Sequence, residues 1–157
     1  MNTGSAVKAQ RSPPTRAKAR YFLDKPTKII AVVEDDASMQ RSIVRLLEAR
    51  GFGTRAFASA EEFLDDESAG EVVCLILDIQ LNGISGIELR RRLAASGSGL
   101  PVIFITGIDD EGVQQQAIEA GCVAYLRKPF AANQLLEAIN KAIREPSGRS
   151  AKAMTAP

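Results

Sequence analysis

Five short apolar runs recur along the chain, each followed by a stretch with apolar residues at helical spacing. This alternation limits the fold more than any other feature. "KIIAVV" (28–33) is rich in β-branched residues and reads as a strand. Over 38–50, Met39, Ile43, Leu46 and Leu47 share a helical face, and Gly51 follows as a stop. "GTRAFA" (53–58) is a weaker strand, and "SAEEFLDDE" opens a short helix with a capping box, Ser59 and Glu62. "EVVCLIL" (71–77) is continuously apolar, as suits a strand buried on both faces. A third helix runs from Gly86 to Ser96 with its own box, Ser85 and Glu88. "PVIFIT" (101–106) is the fourth strand, and "DEGVQQQAIEAG" a helix ending at Gly121. "VAYLR" (123–127) is the fifth strand, and "NQLLEAINKAIR" the last helix, with Leu135, Leu136, Ile139 and Ile143 on one face. Repeated β–α units with short connections predict an α/β fold, a doubly wound five-stranded parallel sheet with helices on both faces.

The 157 residues suffice for one domain with a real core and are too few for two ordinary ones. Apolar residues make up 45% and charged residues 25%, the range of a globular chain. No apolar run approaches the roughly 20 residues of a membrane helix, and the N-terminus lacks a secretory apolar stretch, so a cytoplasmic location is expected. Residues 1–26 carry Lys8, Arg11, Arg16, Lys18, Arg20 and Lys25 against Asp24 alone, whereas the rest holds 14 basic and 18 acidic residues. The basic head, poor in large apolar residues and containing Pro13-Pro14, reads as a disordered tail, as does 146–157. The domain is expected over 27–145. Cys74 and Cys122 sit in apolar runs far apart and read as buried reduced thiols. Histidine is absent, which excludes histidine triads and histidine-liganded zinc.

In an open parallel sheet the site lies beyond the carboxyl ends of the strands, near the point where strand order reverses. After the first strand come Glu34, Asp35 and Asp36. Two like charges 4 Å apart repel by roughly 4 kcal/mol at an effective dielectric of about 20, so such a run calls for solvent or a cation. Asp78 follows the third strand, Thr106 ends the fourth, and Lys128-Pro129 follows the fifth. An all-oxygen donor set selects a hard ion, Mg²⁺ or Mn²⁺. Asp78, alone at a central strand end, suits a carboxylate nucleophile toward phosphorus. Thr106 and Lys128 suit contacts to the other phosphoryl oxygens. Asp36 reads as an acid at a helix N-terminus.

The segments "VVEDD", "LILDIQLNGISGIEL", "PVIFITG" and "AYLRKPF" together resemble the receiver domain of bacterial two-component response regulators, over about Lys28 to Arg144. The wording is most similar to receivers of the FixJ and NarL type. The resemblance implies the flavodoxin-like strand order 2-1-3-4-5. It implies that Asp78 takes a phosphoryl group from a sensor histidine kinase or histidine phosphotransfer protein. It also implies Mg²⁺ held by Asp35, Asp78, Glu34 and the Gln80 backbone carbonyl, and a switch formed by Thr106 and Tyr125. The Lys128–Pro129 bond is expected to be cis. Three positions depart from the family pattern: Asn82 where proline is common, Glu34 for the commoner aspartate, and Ala131 where Ser or Thr often caps the last helix.

Other functions fit less well. A flavodoxin-like electron carrier needs a phosphate cradle where this chain places acids. A phosphatase of the haloacid dehalogenase type wants a second acid two residues after the nucleophile, where Gln80 stands. The resulting expectation is a stand-alone regulator without a DNA-binding domain, catalysing only its own phosphotransfer and dephosphorylation. It would signal by phosphorylation-dependent contacts, including a homodimer through the fourth helix, fifth strand and fifth helix. The alternative is a phosphorelay shuttle or phosphate sink. Arg90-Arg91-Arg92 reads as a solvated helix face.

Overall fold

The apolar runs form strands β1 (Ile29–Val33), β2 (Gly53–Phe57), β3 (Val72–Asp78), β4 (Val102–Thr106) and β5 (Ala124–Arg127). Between and after them lie α1 (Ala37–Ala49), α2 (Ala60–Leu64), α3 (Gly86–Ala95), α4 (Glu111–Ala120) and α5 (Ala132–Arg144). The computed structural model describes residues 28–144, and the tails expected at 1–26 and 146–157 fall outside the described residues. All strand pairs are parallel, as the alternation predicts, and their order β2-β1-β3-β4-β5 is the one the receiver resemblance implies.

Side chains alternate across the sheet and divide the core in two. Ala31, Val33, Leu75, Leu77 and Phe104 face the side covered by α2, α3 and α4, where Phe63, Leu89 and Ala117 meet them. Ile30, Val32, Ile76, Ile103 and Ile105 face the other side, against Ile43 and Leu47 of α1 and Leu135 and Ile139 of α5. The register of β1 on β3 slips between Ile29 and Ile30, so Val73 and Cys74 both face the α1/α5 side. Cys74 is buried there, whereas Cys122 packs, half-buried, on the opposite side. The sheet itself keeps the two thiols apart.

Two strand boundaries bear on function. A 3₁₀ turn, Ala69–Glu71, precedes β3, so the strand begins at Val72 and includes Asp78 as its last rung, opposite Ile105. The Ile79 N–H continues the ladder to the Ile105 carbonyl at 3.0 Å. The nucleophile expected just beyond the strand is thus held by it.

Helix ends follow the chain's local chemistry, with corrections. Gly51, at φ 91°, closes α1: its N–H reaches the Glu48 carbonyl while the Phe52 N–H reaches Leu47. Ser59 accepts the Glu62 N–H, but Glu62 reaches back to the Ala58 N–H rather than to that of Ser59. Ser85 accepts the Glu88 N–H, yet Glu88 turns to Arg92 at 3.2 Å, so that box is half made. At α5 the missing hydroxyl cap is replaced from the other side, with Gln134 Oε1 accepting the Ala131 N–H at 2.8 Å.

Candidate functional site

The carboxyl ends of β1, β3, β4 and β5 bring Glu34, Asp78, Thr106 and Lys128 together. Glu34, Asp78 and Thr106 are 1%, 3% and 0% exposed, the only buried charged or polar residues among those described. Burial of two carboxylates needs compensating charge, and Lys128 supplies it. Its Nζ lies 2.9 Å from Glu34 Oε1 and 3.1 Å from Asp78 Oδ2. The Lys128–Pro129 bond is cis, as expected. The Lys128 N–H also donates to the Thr106 carbonyl at 2.7 Å, which ties the lysine loop to β4.

Each acid has a distinct set of partners. Glu34 Oε2 accepts the Asp36 N–H at 3.0 Å. Asp78 Oδ1 accepts the Gln80 N–H at 3.0 Å, so the loop after β3 folds back on its own carboxylate. Asp35 is partly exposed, and its Oδ2 accepts the Asn82 N–H at 3.3 Å, a donor that proline would lack. Asp36 caps α1 through the Ser38 and Met39 N–H groups, the helix-terminus role read for it.

The Glu34 pKa stands at about 7: burial raises it most and Asp78 adds to the rise, while Lys128 and the Asp36 N–H pull it down. For Lys128 burial acts to lower the pKa, but the bonds to Glu34 and Asp78 outweigh it and the net shift is upward. The site is therefore an acid pocket short of positive charge. Carboxylate oxygens of Glu34, Asp35 and Asp78 lie within 4.8 Å of one another, and among the described residues only the Lys128 ammonium pairs with them. That oxygen-only donor set fits a hard divalent cation.

Neither Thr106 nor Tyr125 hydrogen-bonds through its side chain to the acids. Thr106 Oγ1 accepts the Ile108 N–H at 3.0 Å, which leaves its own proton free to donate. Tyr125 is half-buried against the α2/α3/α4 side of the core, and its hydroxyl is buried without a hydrogen-bond partner.

Three supporting residues escaped the sequence reading. Gln40 donates from Nε2 to the Glu34 carbonyl at 3.1 Å and to the Phe57 carbonyl at 2.9 Å, bracing the ends of β1 and β2. Glu61 of α2 accepts the Ile84 N–H at 3.0 Å and so tethers the β3–α3 loop from outside. Gly86 is buried, and a Cβ there would run into the Asp78 carbonyl oxygen. Its signal was a glycine in the first turn of a helix, where glycine is costly without a steric reason. The arginine triplet is also not one solvated face. Arg92 pairs with Glu88, while Arg90 is half-buried and donates from Nε to the Gly121 carbonyl at 2.8 Å.

A family model described as the response regulator receiver domain matches residues 30–140. Nodulation protein W of Bradyrhizobium diazoefficiens is 40% identical over 111 residues, 71% of this chain and 49% of that protein. The transcriptional regulatory protein FixJ of the same organism is 37% identical over 123 residues, 77% of this chain and 60% of FixJ. A crystal structure of a response regulator receiver protein from Burkholderia phymatum superposes with a TM-score of 0.66 at 43% identity, covering 77% of this chain and 98% of that one. The chain spans about half to three-fifths of the length of these two curated relatives.

Proposed function

This chain belongs to the response regulator receiver domain family of two-component systems, whose members accept a phosphoryl group on an aspartate, and we propose that Asp78 is that acceptor here. The observation that carries this reading is the Lys128 ammonium held between Asp78 and Glu34 at the end of the central strand. In the reaction, an Asp78 carboxylate oxygen forms the new O–P bond as the N–P bond of a partner's phosphohistidine breaks. The bonding pair returns to the imidazole nitrogen. The donor would be a sensor histidine kinase or a histidine phosphotransfer protein.

Glu34, Asp35, Asp78 and the Gln80 backbone carbonyl would hold Mg²⁺ or Mn²⁺, which when bound offsets the negative charge of the phosphoryl group. The chain's own groups do the rest. Gln80 N–H orients Asp78 through Oδ1, and Lys128 stands ready against Oδ2 to neutralise a phosphoryl oxygen. Thr106 has a proton to give because its oxygen already accepts from Ile108. Engaging the phosphoryl group would draw Thr106 from its present position, and Tyr125, with no hydrogen bond to lose at its hydroxyl, would follow inward. The output is a changed α4–β5–α5 face that binds a target protein or a second receiver.

Intact-mass measurement after incubation with acetyl phosphate and Mg²⁺, wild type beside Asp78→Asn, tests the proposal. A phosphoryl adduct that needs Mg²⁺ and is absent from the variant is expected. An adduct that survives Asp78→Asn, or none in the wild type, would overturn it.

A further inference from the structure

A groove of about 540 Å³ opens at the amino ends of β1, β3 and β4, at the far end of the sheet from Asp78. Val72, Val73, Leu100, Pro101 and Ile143 give it apolar walls, and Lys28, the first described residue, lies on its rim. The chain before Lys28 reads "RYFLDKPTK". Within residues 2–27 large apolar side chains cluster only there, as Tyr21, Phe22 and Leu23, and Val7 is the other one. The segment after Arg144 offers Met154 alone.

We propose that Tyr21-Phe22-Leu23 of the same chain occupies this basal groove. Leu23 is five residues from Lys28, so the tether spans at most about 17 Å when extended, and the groove begins at its anchored end. So short a tether makes the intrachain partner far more concentrated than a second copy at ordinary protein concentrations. Proline at position 26 has no N–H to donate, which disfavours continuing β1 backward as a further sheet rung. Charge agrees with the same placement. Arg16, Lys18 and Arg20 precede the aromatic pair, and the α2–β3 connection that supplies Ala69 and Gly70 to the groove carries Asp65 and Glu67, besides Asp66 and Glu71, which pair with Arg55 at 3.6 and 3.5 Å. Docking closes the apolar base of the domain and sets the basic segment beside that acidic connection.

The full chain with Phe22→p-benzoylphenylalanine, irradiated and peptide-mapped, tests the placement without any dependence on phosphorylation at Asp78. A cross-link within a single-chain mass to residues 69–73, 98–101 or 142–144 is expected, and Tyr21→Ser with Leu23→Ser should abolish it. Cross-links only at twice the chain mass, scattered cross-links, or none would overturn the proposal. Hydrogen exchange is a second readout. Replacing all three residues by serine should speed exchange several-fold at 72–73 and 99–101 while leaving 103–106 unchanged. Equal exchange at the base in both proteins would also overturn it.

Discussion

Glu34 is the residue where burial and charge conflict most directly. Its pKa of about 7 in the folded protein stands above the ordinary 4.5. Between those values the folded state binds more protons than the unfolded state, so this group's contribution is full below about pH 4.5 and is lost as pH rises through about 7. Metal-free Glu34→Gln should lack this decline in its urea midpoint across that window; equal slopes in variant and wild type would contradict the assignment. Lys128 is what makes the ionised pair tolerable. The neighbouring acids are expected to separate by role. Asp36→Ala removes the α1 cap and should cost about 1 kcal/mol without changing Mg²⁺ affinity. Asp35→Asn should weaken Mg²⁺ binding with little change in metal-free stability, and calorimetric titration of both variants checks the division.

The helix and strand ends hold these side chains by backbone contacts that side-chain chemistry alone does not reveal. Asp78 belongs to β3, and Gly86 of α3 packs directly over its carbonyl. Gly86→Ala should therefore destabilise the domain by about 1–3 kcal/mol and slow adduct formation with acetyl phosphate. Gly97→Ala is the matching control: its φ of 86° makes alanine costly, but nothing lies within 4 Å of the added carbon, so stability should fall by about 1 kcal/mol while adduct formation is unchanged. Equal effects of the two on phosphorylation would remove Gly86 from the site. The α3 helix is fastened to the end of α4 by Arg90 and the Gly121 carbonyl, and a Cβ at Gly121 would press on that guanidinium at 3.2 Å. That contact anchors the C-terminal end of α4 to α3.

Two cores on either side of one sheet leave the strand ends free to differ in chemistry, with the acid pocket at one end and the apolar groove at the other. A ligand that binds only the folded form stabilises it by mass action, about 2.7 kcal/mol at 100 times its dissociation constant. Mg²⁺ should therefore raise the melting temperature in a concentration-dependent way that Asp35→Asn suppresses. An equal shift in that variant would place the ion elsewhere. No helix among the described residues is long and apolar enough to cross a membrane.

Much of this molecule was legible in the chain. The period of the apolar residues dictated strands and helices, and their alternation dictated a parallel, doubly wound sheet. Because ligands in such a sheet gather at strand ends, Glu34, Asp35, Asp78, Thr106 and Lys128 stood out by position alone. Those are local and covalent properties, set by residues adjacent in the chain. Packing decided the remainder. It put Lys128 against Glu34 across 94 residues, turned Glu88 toward Arg92 instead of its helix end, drew Arg90 inward to Gly121, and set Gly86 against the Asp78 backbone. A side chain with several partners within reach chooses among them only when strand register and helix placement set the distances, and those exist only in the folded chain.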